Sequence, residues 1–189
     1  PDEETLQQYV EIQKQQKLRR SKLKKLLNLP VQTLDGYNIH IMANIENPSE
    51  VKSAMGNGAM GIGLYRTEFI YINNPSPSEE DHFKAYKEAI KYLGPHKLII
   101  RTLDFGADKS FGIEDFQREE NPFLGCRSIR LCFEKIPVFK RQLRAILRAS
   151  VMGNVDIMFP MISSLEELIK AKRVDRKSTR LNSSHRIRS

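Results

Sequence analysis

From residue 38 onward, short apolar blocks alternate with longer polar stretches that each carry a helical stripe. Residues 38–45 (NIHIMANI) alternate apolar and polar side chains, which predicts a strand. Residues 48–57 follow as a helix, with Pro48 and Ser49 at its start and Glu50 in its first turn. The block 61–65 (GIGLY) predicts a second strand. Residues 78–93 predict a second helix, opened by Ser78 as N-cap with Glu79, Glu80 and Asp81 behind it. A third strand is predicted over 98–103, and a third helix over 136–151 from the near-3.6 period of Phe139, Leu143, Ile146 and Leu147. Residues 155–161 (VDIMFPM) predict a fourth strand, and 164–172 begin a fourth helix.

Ahead of this series, residues 4–27 contain no Gly or Pro and are rich in Gln, Lys, Leu and Glu, so they predict one helix. Leu6, Val10, Ile12, Leu18, Leu23 and Leu26 form only a rough stripe, as in a partly solvated linker helix, and Leu29-Pro30 ends it. Strand and helix alternating four times implies an α/β fold of parallel strands joined by right-handed crossovers. The mostly apolar strands suit a sheet covered by helices. A Rossmann-type sheet and half of an eight-stranded barrel both fit, and the placement of special residues must separate them.

Charge changes the picture little. The 189 residues carry a formal net charge of +8, which invites a nucleic-acid reading. Half of that excess sits after residue 174, where Arg176, Lys177, Arg180, Arg186 and Arg188 face one acidic residue, Asp175. A second basic run covers 17–25, and aromatics do not interleave with either, so a single-strand platform is disfavoured. A basic module for nucleic acid or a membrane surface, built on residues 14–25 and the tail, remains the alternative of another class. The longest apolar runs, such as 157–162, are too short to span a bilayer. Pro1 in place of an initiating Met suggests a chain cut from a longer protein, and Cys126 and Cys132 lack metal-like spacing and read as reduced cytosolic thiols.

Three arginines fall at or beyond predicted strand ends: Arg66 after 61–65, Arg101 late in 98–103, and Arg127 in the long segment that follows. Parallel strands of a barrel open their C-terminal ends on one face, where ligands bind. Guanidinium groups gathered there would repel one another unless an anion neutralised them, and Arg forks onto phosphate or carboxylate oxygens. The alternative is that each pairs with a carboxylate: Glu68 for Arg66, Asp104 for Arg101, and Glu119 or Glu120 for Arg127. The segment 105–126 has little regular pattern, carries Gly106, Asp108, Lys109, Gly112 and Gly125, and is long enough to predict a functional loop.

The stretches 61–69 (GIGLYRTEF), 101–109 (RTLDFGADK), 119–130 (EENPFLGCRSIR), 142–150 (QLRAILRAS) and 157–162 (IMFPMI) resemble, in order and spacing, the C-terminal domain of phosphoenolpyruvate–protein phosphotransferases. This family is also called enzyme I of the bacterial sugar phosphotransferase system. Residues 1–6 and 34–44 are similar to its linker-helix region and first barrel strand. The resemblance implies a linker helix over 1–33 and, over 34–172, the first half of a phosphoenolpyruvate (PEP)-binding (β/α)8 TIM barrel of about four βα units. It implies that Arg66 and Arg101 bind the substrate phosphate, that Arg127 lies in the same pocket, and that Asp104, Lys109 and Asn121 support them. It further implies transfer of the PEP phosphoryl group to an enzyme histidine and on to the phosphocarrier protein HPr. A cytoplasmic homodimer and Mg²⁺ belong to the same expectation.

The acceptor histidine, the Mg²⁺ ligands and the proton-donating cysteine of that family lie outside the stretches matched, so no catalytic residue is expected among His40, His82, His96, His185, Cys126 or Cys132. The chain alone is expected to be inactive, with exposed strand edges. Pyruvate phosphate dikinase and PEP synthase share the early arginine motif but differ around 103–109. Residues 173–189 are expected to be a non-native tail, because 175–185 (DRKSTRLNSSH) read as a translated sequencing adapter.

Overall fold

A computed structural model describes residues 2–27, 29–105 and 126–179. Helix α1 (Glu3–Lys24) opens with Asp2, whose side chain accepts from the Thr5 amide at 2.8 Å. Acidic Glu3 and Glu4 at its start and basic Lys22 and Lys24 at its end both suit the helix dipole. None of its residues is buried, so the rough stripe covers nothing and the helix is solvated all round rather than partly.

Four parallel strands follow in sequential order: β1 (Ala43–Ile45), β2 (Gly61–Tyr65), β3 (Lys97–Arg101) and β4 (Val155–Met158). Each strand pairs with the next, as in successive βα units of a (β/α)8 barrel, and not in the split order of a doubly wound sheet. β1 and β4 form the two edges. The alternating run predicted over 38–45 contributes only its last three residues to the sheet. Asn38 instead pairs antiparallel with Gln32 across a turn at Gly36, whose φ is 85°. At Gly61 an added Cβ would lie 2.8 Å from the Lys97 carbonyl oxygen, so the start of β2 has room only for glycine.

The crossovers are α2 (Glu50–Gly56), the short α3 (Phe69–Asn73) followed by α4 (Glu79–Leu93), and α5 (Ser128–Glu134) followed by α6 (Ile136–Ser150). Helix α7 (Leu165–Thr179) follows β4. In α2 the Glu50 carboxylate accepts from the Glu46 and Asn47 amides at 2.8 and 3.3 Å, and Ser49 makes no side-chain cap. In α4 Ser78 and Asp81 form a reciprocal capping box. The sequence pattern missed α3 and α5. It also stopped the last helix at 172, whereas α7 continues to Thr179 with Ala171, Val174 and Ser178 buried. Those three positions share one helical face, so a core-facing stripe extends past the expected boundary.

Along β3 burial alternates: Leu98 and Ile100 are buried, while Ile99 and Arg101 are half-buried. Helices therefore cover one face fully and leave the other partly open. One core cluster places Ile62, Tyr65, Leu98 and Ile100 against Tyr86, Ile90 and Ile146. A second lies toward the C-terminal strand ends, where Leu103 and Phe105 meet Ile129, Phe139 and Leu143. Cys132 is buried in this second cluster, its Sγ donating to the Leu103 carbonyl at 3.7 Å, and burial pushes its thiol up to about 12. No described helix is long and apolar enough to cross a membrane.

Candidate functional site

Arg66 immediately follows β2 and Arg101 closes β3, so the two stand at the same end of neighbouring strands. The Arg66 amide donates to the Ile45 carbonyl at 2.9 Å, which continues the β1–β2 ladder one step past the strand. Its guanidinium meets Glu46 at 2.8 Å, and both side chains are substantially exposed. Arg66 therefore pairs with the residue after β1, not with Glu68, because the strand ends bring 46 and 66 together across twenty residues.

Arg101 is more enclosed. Its guanidinium contacts Glu68 at 2.9 Å and Asp104 at 2.8 Å, and all three side chains are under one-fifth exposed. Glu68 also accepts from the Asp104 amide at 3.1 Å. Burial pushes the Glu68 carboxyl above the usual carboxylate range, against the opposing pull of Arg101. Asp104 accepts from the Ser128 hydroxyl, and Ser128 in turn binds the Phe105 carbonyl through its amide at 2.8 Å. Ser128 is buried and holds a φ of 54°, a left-handed conformation that a non-glycine residue adopts only when its surroundings enforce it. Its hydroxyl also lies 3.1 Å from the sulfur of Met161, a second residue at φ 54°.

Arg127 precedes Ser128 and is the N-cap residue of α5. Through Ser128 it is tied to Asp104, and through Asp104 to Arg101. Lys109, Asn121 and the predicted functional loop lie outside the described residues. Two arginine atoms stand out: Arg101 Nε and Arg127 Nε are buried and have no hydrogen-bond partner among the described residues. A buried donor left unpaired costs about 1–3 kcal/mol, so such atoms call for an explanation.

Behind the mouth lies a polar relay with no motif to announce it. The Thr67 hydroxyl donates to the Arg101 carbonyl at 2.9 Å, and the Gln142 amide of α6 donates to Thr67 at 2.9 Å. Gln142 also accepts from the Leu103 amide at 2.9 Å and reaches the Tyr86 hydroxyl at 3.3 Å. His82 then lies between the hydroxyls of Tyr86, 3.1 Å from Nδ1, and Tyr71, 3.3 Å from Nε2. Thr67, His82 and Gln142 are all buried. Gln142 could have been noticed in the sequence as a polar residue within the apolar face of a helix.

Glu46, Glu68 and Asp104 all turn toward arginines. No group of three or more His, Cys, Asp or Glu able to hold a metal is found among the described residues. These residues do not fit the Mg²⁺ that the resemblance implies.

Residues 20–187 match the family model described as PEP-utilising enzyme, PEP-binding domain. Among curated proteins, the chain is 44% identical over 175 residues to the phosphoenolpyruvate-protein phosphotransferase of Geobacillus stearothermophilus, covering 92% of this chain and 30% of that protein. It is 40% identical over 190 aligned residues to that of Staphylococcus aureus, covering 99% of the chain and 33% of the relative. It is 41% identical over 175 residues to that of Bacillus subtilis strain 168, covering 92% and 31%. The chain thus spans about a third of the length of these relatives. With the family model matched along most of its length, over a sequential parallel sheet that sets arginines at its C-terminal end, the chain belongs to the PEP-utilising enzymes, as part of their PEP-binding domain.

Proposed function

We propose that this chain is the phosphate-gathering half of the PEP-binding barrel of a phosphoenolpyruvate–protein phosphotransferase. Arg66 and Arg101 bind the PEP phosphate, Arg127 closes on it from the start of α5, and Asp104, Lys109 and Asn121 support them. The observation that carries this reading is the pair of buried Nε donors on Arg101 and Arg127 that find no partner among the described residues, the two arginines being linked through Ser128 and Asp104. Phosphate oxygens would complete them with charge-assisted hydrogen bonds.

In the whole enzyme the phosphorus–oxygen bond to the enol breaks, a phosphorus–nitrogen bond to an enzyme histidine forms, and the leaving enolate takes a proton at carbon to become pyruvate. HPr then receives the phosphoryl group. Arginines serve such a reaction by positioning the phosphoryl group and neutralising its charge. HPr as partner, the homodimer and the cytoplasmic setting come with this proposal, as does a Mg²⁺ held by residues beyond those described. The reading of residues 173–189 as translated adapter is a separate proposal. The continuation of the α7 core-facing stripe through Val174 and Ser178 runs against it, and the codons of the underlying DNA decide it.

Calorimetric titration of the chain with PEP tests the site. Arg66→Ala and Arg101→Ala are each expected to weaken binding by about ten- to a hundredfold, the worth of charged hydrogen bonds. Lys97→Ala, whose exposed pair with Asp156 lies at the start of β3 and away from the mouth, should leave it unchanged. Equal losses in all three variants, or none in the first two, would sink the reading.

A further inference from the structure

The ladder between β2 and β3 is irregular just where it matters. Gly61 and Ile62 pair in step with Lys97 and Leu98, and the register then shifts before Tyr65 reaches Ile100. That last backbone pair stands one step before Arg66 and Arg101, and no further pair of this ladder holds the two arginines themselves. Beyond Tyr65 a side-chain bridge takes over. Thr67, the neighbour of Arg66, holds the Arg101 carbonyl at 2.9 Å. Gln142 grips both sides of this seam, donating to Thr67 and accepting from Leu103, two residues past Arg101.

The orientation of that amide is fixed by its partners. The Leu103 N–H needs an acceptor, which places Oε1 there and leaves the –NH₂ for the two hydroxyls of Thr67 and Tyr86. A buried network with every member satisfied specifies one geometry, because each alternative strands a polar group. Helix α6, which carries Gln142, is held in turn to the start of α4 by Arg144 and Arg148 against Glu79. The clamp thus belongs to the rigid helical layer and not to the mouth.

From these contacts we infer that Gln142 and Thr67 are positioning residues that set the spacing of Arg66 and Arg101 for one phosphate. The inference rests on the proposed function and deepens it. Neither side chain touches the ligand. They act by holding two strand ends beyond the last backbone pair of the ladder.

The test uses the chain with Thr67→Val, which removes the hydroxyl at nearly constant shape, Thr67→Ser, which keeps it, and Gln142→Met as an independent break. Affinity for inorganic phosphate and for PEP is read by calorimetry. The arginine Nε–Hε resonances are read by NMR without ligand, and circular dichroism verifies folding. The valine and methionine variants are expected to bind about tenfold more weakly, with shifted Arg66 and Arg101 resonances, while serine restores both to near wild type. A role in stability alone would lower the melting temperature without moving affinity in the folded chain. Unshifted resonances in Thr67→Val, or wild-type affinity in that variant while Arg101→Ala abolishes binding, overturn the inference. Resonances that move in a chain whose wild type binds no phosphate uphold the clamp and overturn the functional reading instead.

Discussion

Arg101→Gln is expected to destabilise the chain by about 2–4 kcal/mol, the largest loss of any single mouth substitution. The reason is what it leaves behind. Glu68 and Asp104 both point at Arg101, and the Glu68 carboxyl already lies above its usual range through burial. Without the guanidinium, two poorly solvated carboxylates face each other across the Asp104 amide contact. The fold would relieve this by taking up a proton, so the deficit should shrink as pH falls toward 5. A companion variant isolates the cause: Glu68→Gln added to Arg101→Gln should recover a good part of the loss. Urea unfolding of the single and double variants measures both quantities. Arg66→Gln should cost under about 1 kcal/mol, because exposed ion pairs contribute little and its pair with Glu46 is substantially exposed. A loss as large for Arg66 as for Arg101 would contradict this ordering.

Acidification from pH 7.5 to 4 is expected to remove about 3 kcal/mol of stability through His82 alone, taking 1.36 kcal/mol per pKa unit. Burial holds this histidine down at about 4, against 6.5 for a solvated one. Arg141 reinforces the depression and Asp81 opposes it, while Tyr71 and Tyr86 bind the two ring nitrogens. Between those values the unfolded chain binds a proton that the folded chain does not. The His82 contribution is therefore fully present above pH 6.5 and is lost as pH falls toward 4. Glu68, raised by burial, works in the opposite direction in the carboxylate range. Glu167, held near 2 by the Ser163 amide and Arg130, keeps its contribution above 4.5 and loses it as pH falls from there toward 2. Urea midpoints at pH 7.5, 6 and 5 should fall steadily in the native chain. In His82→Phe the baseline stability drops, since two tyrosine hydroxyls lose a partner, but the slope over this window should disappear. A slope unchanged in that variant would assign the acid sensitivity to other groups.

The sequential parallel sheet and the long helices α4 and α6 were legible because their signals are local. Period 3.6 through Phe139, Leu143 and Ile146 is set by burial of one face, and the Ser78–Asp81 box is written within four residues. Helices α3 and α5 escaped because five and seven residues cannot display a period, and their starts lie in motif residues read for chemistry. The first strand shrank because its alternation comes from Ile39 and Ile41, which stay exposed beside the 32–38 bridge.

At the mouth, the arginines were legible and most of their partners were not. Asp104 lies three residues from Arg101, so local spacing found it. Glu46 and Glu68 reach their arginines across twenty and thirty-three residues, distances closed only by strand register. Gln142 lies farther still, seventy-five residues from Thr67, and only its polarity on an apolar face hinted at a partner.

A single titration bears most directly on the phosphate cradle. With ¹⁵N-labelled arginine side chains, PEP added to the chain should shift the Nε–Hε signals of Arg66 and Arg101 along one saturation curve with one dissociation constant, and leave Arg148 unmoved. If Arg66 and Arg101 saturate with different constants, or only one responds, they do not share a phosphate and the account fails.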